Sequence, residues 1–281
     1  MEGGKFELRE FDMSSMVINP AIVMIAKRGS GKSWVTRDIL YNLHKHKNIP
    51  CGVVIAPTDR MNPMYKYFFP DLFIHYEIKP ELLRKILLRQ TTMIEKEKDK
   101  KKEGKKIDPS AVLVMDDCLS QAGKWGKDET IKEIMMNGRH YKLTYILTMQ
   151  TPLGLGPDLR LNFDYIFLLK EDTAVNRKKL YDNYAGMFPT LRIFEKVFSQ
   201  CTSDFRCMVI DNRKPSDKIE DKVFWYKAQD RKFSFGSRKF IDMHRKYYDK
   251  DFMKKRISLL GGGMNNLKKK GDIDIRVDMV N

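Results

Sequence analysis

The sequence predicts an α/β fold, with a mostly parallel sheet covered by helices on both faces. Three observations predict it. Short, largely apolar runs recur along the chain, among them Ile22–Ala26, Gly52–Ala56, Ala111–Met115, Leu143–Met149 and Tyr165–Leu169. Runs of that length without regular polar alternation are strands buried on both faces, as parallel sheets require. Segments with helical spacing separate them, as in Val35, Ile39 and Leu43. The third observation is what the first run leads into. Ala26-Lys27-Arg28-Gly29-Ser30-Gly31-Lys32-Ser33 fits the phosphate-binding pattern G-x-x-x-x-G-K-[ST], except that Ala26 stands at the first glycine.

In chain order, residues 1–18 have no strong periodicity and form a lead-in, with Asn19-Pro20 turning into the first strand. Pro57 stops the Gly52–Ala56 strand, and Phe73–His75 is a short edge strand. Pro80 opens a helix with Leu83, Ile86, Leu87 and Ile94 on one stripe. It runs out into Glu95–Lys106, which lacks an apolar face and reads as a solvated helix end or surface loop. After the strand ending in Asp116-Asp117, Ile131, Ile134 and Met135 mark a short helix closed by Asn137-Gly138. The strand ending at Gln150 feeds a Pro/Gly-rich loop, Thr151–Asp158. Asp172 is placed to cap the helix after the Tyr165 strand, and Thr190 the next helix, with Leu191, Phe194 and Phe198 inward. Phe205–Ile210 and Val223–Tyr226 are late strands, and the aromatics Phe224-Trp225-Tyr226 read as core rather than as a base-stacking platform. The core domain therefore spans 19–226. Residues 227–281 form a basic C-terminal extension, with fifteen basic against seven acidic side chains, a Gly261-Gly262-Gly263 break and the patch Lys268–Lys270. It reads either as a DNA- or partner-binding extension or as a poorly ordered end.

The candidate chemistry gathers around the loop. Consecutive backbone N–H groups from Gly29 to Ser33, at the start of a helix, form an anion nest. Arg28, Gly29, Ser30, Gly31, Lys32, Ser33 and Trp34 are the expected nucleotide contacts, with Lys32 on the β/γ-phosphates and the Ser33 hydroxyl on Mg²⁺. The C-terminal ends of parallel strands share one edge, where ligands bind. Asp116 is thus expected beside Ser33 as a Mg²⁺ ligand, and Asp117 as the base that polarises an attacking water. Gln150 ends the next strand, where an amide can contact both γ-phosphate and water. Arg139 and Arg160 are the two candidates for the arginine that neutralises transition-state charge, with Arg139 preferred and acting in trans. His140 is read as a structural hydrogen-bonder.

Composition bounds the partners. The 281-residue chain has 42% hydrophobic residues, enough for a sizeable core, and a net charge of +16, which attracts a polyanion such as nucleic acid. Its four cysteines form no C-x-x-C pair or Cys/His cluster, which argues against zinc and fits a reducing compartment. With neither a signal peptide nor an apolar run of spanning length, the expectation is a soluble, intracellular protein.

The spans 26–33 (AKRGSGKS), 112–117 (VLVMDD), 137–150 (NGRHYKLTYILTMQ) and 160–170 (RLNFDYIFLLK) resemble the genome-packaging ATPases of large DNA viruses. These are the poxvirus and giant-virus branch of the FtsK–HerA superfamily, and the resemblance covers residues 19–226. It implies a RecA-like P-loop NTPase that hydrolyses ATP with Mg²⁺, working as a homo-oligomeric ring around double-stranded DNA and pushing the genome into a capsid. It further implies a capsid or portal partner, location at the cytoplasmic assembly site or in the virion, Gln150 as sensor and Arg139 as a finger to the neighbouring subunit. Ala26 and Asp117 depart from the common pattern, which has glycine and, in cellular relatives, glutamate. A P-loop small-molecule or nucleoside kinase and a nucleic-acid-binding scaffold with a structural nucleotide site are the rival readings.

Overall fold

The computed structural model describes residues 7–118 and 128–251. Strands β1 (Ala21–Ile25), β2 (Gly52–Ile55), β3 (Ile74–His75), β4 (Ala111–Asp116), β5 (Leu143–Met149), β6 (Tyr165–Leu168), β7 (Arg206–Asp211) and β8 (Val223–Lys227) form one sheet in the order β3-β2-β4-β5-β1-β6-β7-β8. The six strands from β3 to β6 run parallel; β7 and β8 are antiparallel to their neighbours. Among the described residues the α-helices are α1 (Lys32–Lys47), α2 (Pro80–Lys102), α3 (Glu129–Asn137), α4 (Pro157–Arg160), α5 (Ala174–Tyr184), α6 (Leu191–Cys201), α7 (Ile219–Lys222) and α8 (Arg238–Tyr247).

Successive strand side chains point to opposite faces, so each apolar run feeds two cores. Ile22, Met24, Val114 and Ile146 meet Val35, Ile39, Leu40 and Leu43 of α1 on one face. Val23, Ile25, Leu113 and Leu147 meet Leu83, Ile134, Phe194 and Phe198 of α2, α3 and α6 on the other. This is why the runs lack the polar alternation of a one-sided sheet. Thr190 caps α6 as expected, accepting a hydrogen bond from the Ile193 amide at 3.3 Å. The charged run does continue α2 as far as Lys102; only its first half contributes buried side chains, Leu83, Ile86 and Gln90.

The lead-in covers the sheet's last edge. Phe11 N–H donates to the Trp225 carbonyl at 2.8 Å and Trp225 N–H to that of Arg9 at 3.1 Å, so the free side of β8 is paired. Phe224 and Tyr226 are buried beside Phe11, in keeping with a core role.

The chain after β8 also remains on the core. Phe235 is fully buried and stacks on Phe69, with ring centres 4.9 Å apart, and Phe240 stacks on Phe73 at 4.3 Å. The buried carboxylate of Asp38, midway along α1, anchors this segment. It accepts from the Tyr226 hydroxyl at 2.6 Å, the Gln229 amide at 2.7 Å and Arg231 Nε at 3.2 Å. Gly261–Gly263 and Lys268–Lys270 lie outside the described residues. Among the described residues no helix is long and apolar enough to cross a membrane.

Removing the Asp38 carboxylate strands several buried donors, one of them charged. Asp38→Ala should therefore cost about 3–5 kcal/mol, read as a lowered urea midpoint by circular dichroism.

Candidate active site

Strand pairing carries the chain one residue past β1, because Ala26 N–H donates to the Met149 carbonyl at 2.9 Å. The backbone then turns through Gly29 at φ +79° and Gly31 at φ +95°, and Gly31 is the N-cap of α1. Only glycine adopts these angles without strain, which accounts for both glycines of the motif. Ala26 has no positive φ and is buried, so nothing in its conformation calls for glycine. The Ser30 hydroxyl donates to the Lys27 carbonyl at 2.7 Å, tying the loop to itself rather than lining the cavity. Lys27 pairs with Asp172. The cap expected of Asp172 is therefore not made; Thr173 is the N-cap of α5, and Asp172 is drawn to the loop by opposite charge.

The register of β4 on β5 sets Asp116 opposite Thr148, on the α1 side of the sheet. Lys32 Nζ donates to Asp116 Oδ1 at 2.7 Å and lies 3.4 Å from Thr148 Oγ1. The Thr148 hydroxyl donates to Asp116 and accepts from the Asp117 amide at 3.0 Å. At Asp117 the chain turns through φ +53°, and the side chain meets Gln150, whose Nε2 donates to Asp117 Oδ2 at 2.6 Å. The five residues form one connected network above the ends of β4 and β5. Beneath it, burial pushes the Cys118 thiol well above its usual range, so it stays protonated.

A cavity of about 1130 Å³ opens over this edge, large enough for a nucleoside triphosphate. Arg28, Gly29, Gly31, Lys32, Ser33 and Trp34 all line it, as do Asp116, Asp117 and Gln150. Ser33 and Asp116 offer a hydroxyl and a carboxylate, hard oxygen donors of the kind Mg²⁺ takes, so the residues fit the ion.

Three contributors were not singled out in the sequence. Thr148 bridges Lys32, Asp116 and Asp117; its signal was the two-residue alternation that puts it on the same face as Gln150. Asp59 follows β2, is buried, and accepts from the Met64 amide at 2.7 Å; burial raises its carboxyl above the usual range. Phe205 was read as the first residue of a strand. Instead β7 begins at Arg206, and Phe205 stands beside Gly31, its Cδ1 3.9 Å from where a Cβ on that glycine would lie.

The arginines lie elsewhere. Arg139 sits just before β5, at the opposite end of the strands, in a second cavity of about 480 Å³. It pairs with buried Asp164, which also accepts from the Ala21 amide at 2.8 Å. Exposed His140 is its neighbour in that cavity. Arg160 pairs with Asn183 and lies 5.9 Å over the Tyr184 ring, lining neither cavity.

A glycine loop opening a helix at the C-terminal edge of a parallel sheet, with its lysine on the acid that ends the strand two places away, defines the P-loop NTPase class. Residues 8–184 match the family model described as Poxvirus A32 protein, and the chain belongs to that family. It is 64% identical over 281 residues to uncharacterized protein L437 of Acanthamoeba polyphaga mimivirus, covering 99% of this chain and 98% of that one. It is 36% identical over 222 residues to uncharacterized protein 015R of Frog virus 3 (isolate Goorha), covering 78% and 66%. Among solved structures, the genome packaging NTPase B204 from Sulfolobus turreted icosahedral virus 2, in complex with ATP-gammaS, superposes with a TM-score of 0.52 at 16% identity, covering 75% of this chain and 98% of that one. The pCW3 conjugation coupling protein TcpA does so with a TM-score of 0.53 at 15% identity, covering 85% and 65%. At such identity the likeness establishes the shared fold.

Thr148→Val keeps the side-chain shape but leaves the half-buried Asp117 amide and the buried Asp116 carboxylate each short of a partner. It should cost about 1–3 kcal/mol of stability, measured by chemical denaturation. Ala26→Gly should also destabilise, by about 0.5–1 kcal/mol, without tightening nucleotide binding in calorimetry.

Proposed function

We propose that this chain is the ATP-hydrolysing motor that drives double-stranded DNA into a viral capsid, working as a homo-oligomeric ring with a capsid or portal component as its dock. The observation that carries the reading is the Lys32–Asp116–Thr148–Asp117–Gln150 network on the cavity edge, in a chain of the A32 family. The genome packaging B204 structure and its nucleotide analogue support it by analogy of fold.

In this reading the loop amides and Lys32 bind the phosphates, so Lys32 gives up Asp116 when the nucleotide enters. Ser33 and Asp116 are the residues that would hold Mg²⁺, which would supply charge neutralisation for the phosphates. Asp117 accepts the proton of a water whose oxygen attacks the γ-phosphorus as the bond to the β–γ bridging oxygen breaks. Gln150 orients that water, and its exchange of Asp117 for the γ-phosphate passes the nucleotide state into the loop after β5. That loop is tied to α5, because the Tyr184 hydroxyl donates to the Pro152 carbonyl at 2.9 Å.

Arg139 acts on the neighbour's nucleotide. The seven residues of β5 separate it from Gln150, roughly 20 Å at about 3.3 Å per residue. It cannot serve its own chain's cavity, whereas a ring that stacks one subunit's edge on the next would bring it to a site. The excess of basic residues grips DNA through phosphates, so binding is largely independent of sequence and falls steeply with salt.

The test is ATP hydrolysis with and without duplex DNA, for the natural chain and for Lys32→Ala. DNA-stimulated turnover that Lys32→Ala abolishes is the expected result; phosphoryl transfer to a nucleoside, or no hydrolysis, overturns the motor. Arg139→Ala should lower turnover at least about 100-fold with ATP binding intact. Mixing it with Lys32→Ala should restore part of the activity, because each supplies what the other lacks. Normal hydrolysis by Arg139→Ala alone removes the finger.

A further inference from the structure

The nucleotide cavity has a wall that the phosphate chemistry leaves unused. Because β7 runs antiparallel to β6, its starting end lies at the same sheet edge as the phosphate loop. The turn into it contains two consecutive non-glycine residues in the left-handed region, Asp204 at φ +52° and Phe205 at φ +57°. A bulky side chain rarely adopts that conformation, and such strain concentrates where ligands bind. Its effect is to hold Phe205 out at 74% exposure, in a chain that buries Phe188, Phe194, Phe198 and Phe235 almost completely. The ring stands against Gly31 of the phosphate loop and lines the cavity. Trp34, in the first turn of α1, is a second exposed aromatic on the same cavity, at 52%.

Phosphates held by Gly29–Ser33 leave the nucleoside to extend over the adjoining cavity wall, where these rings are. We propose that Phe205, presented by its left-handed turn, is the surface on which the purine base of the nucleotide stacks, with Trp34 as the second wall of that subsite. This rests on the cavity being a nucleotide site, and it adds how the base end is recognised: by an aromatic face, which every purine satisfies.

Calorimetric titration with ATP and, separately, inorganic tripolyphosphate tests it on the full chain. Phe205→Ala should weaken ATP roughly 5- to 150-fold, the range for one base–aromatic stack, and leave tripolyphosphate affinity unchanged. Phe205→Tyr should restore ATP affinity. Phe205→Gly suits the left-handed backbone, so it should raise the thermal midpoint while weakening ATP as Phe205→Ala does. If Phe205→Ala leaves ATP affinity intact, or weakens both ligands equally, the stacking assignment is overturned while the nucleotide site stands. If the natural chain binds neither ligand, the nucleotide reading itself fails and the base subsite with it.

Discussion

The site depends on the register of β4 against β5. Pairing Asp116 with Thr148 puts a buried carboxylate one strand from a hydroxyl and within reach of Lys32, at the one edge where the phosphate loop also ends. A buried carboxylate without a partner would cost several kcal/mol. Here the Lys32 ammonium neutralises it and the Thr148 hydroxyl supplies a further bond. The lysine that a phosphate motif reserves for its ligand is therefore the residue that keeps the ligand-free edge stable. Lys32 couples the loop to the acid strand. In the proposed mechanism an anion that draws Lys32 away leaves Asp116 in need of a compensating charge, the place a divalent ion would take.

The two antiparallel strands extend the same edge sideways. Reversal of β7 brings its start to the cavity and the return of β8 brings its end there, adding Phe205 and Lys227 to the rim. The chain after β8 is then pinned to α1 by Asp38, six positions beyond Lys32 on the same helix. One rigid helix thus carries the phosphate nest at its first turn and the anchor of the C-terminal segment at its second.

What the sequence made legible follows from which signals are local. Ile22–Ala26, Ala111–Met115 and Leu143–Met149 announced buried strands because burial on both faces leaves no polar alternation, and Gly29 and Gly31 announced the nest because their backbone angles admit little else. Asp116, Asp117 and Gln150 were expected on this edge from strand ends that follow a phosphate loop, and all three line the cavity. Thr148 was not, because a threonine inside an apolar strand looks like β-propensity until the partner strand's register is known. Phe205 was taken for a strand residue because hydrophobic pattern carries no backbone sign; only the positive φ reveals that it turns outward. Asp172 looked like a helix cap until Lys27, far off in sequence, competed for it. The segment after Tyr226 seemed patternless since its aromatics pack on 3₁₀ turns at 65–73 and on α1, not on a periodic neighbour.

The position of Arg139 constrains how subunits of the proposed motor must meet. Its guanidinium pairs with Asp164, which also accepts from the Ala21 amide at the entry to β1, so the arginine in the turn before β5 is tied to the N-terminal edge of the sheet. The nucleotide cavity occupies the other edge. A head-to-tail contact pairs unlike edges and would give every cavity an arginine from its neighbour. Repetition of a head-to-tail contact closes into a ring when the rotation permits. Each interface would then contain Lys32, Asp116 and Gln150 from one subunit and Arg139 from the next, so hydrolysis would be sensed on both sides of the interface at once. In the proposed motor, a head-to-tail contact is what the length of β5 asks of an arginine acting in trans.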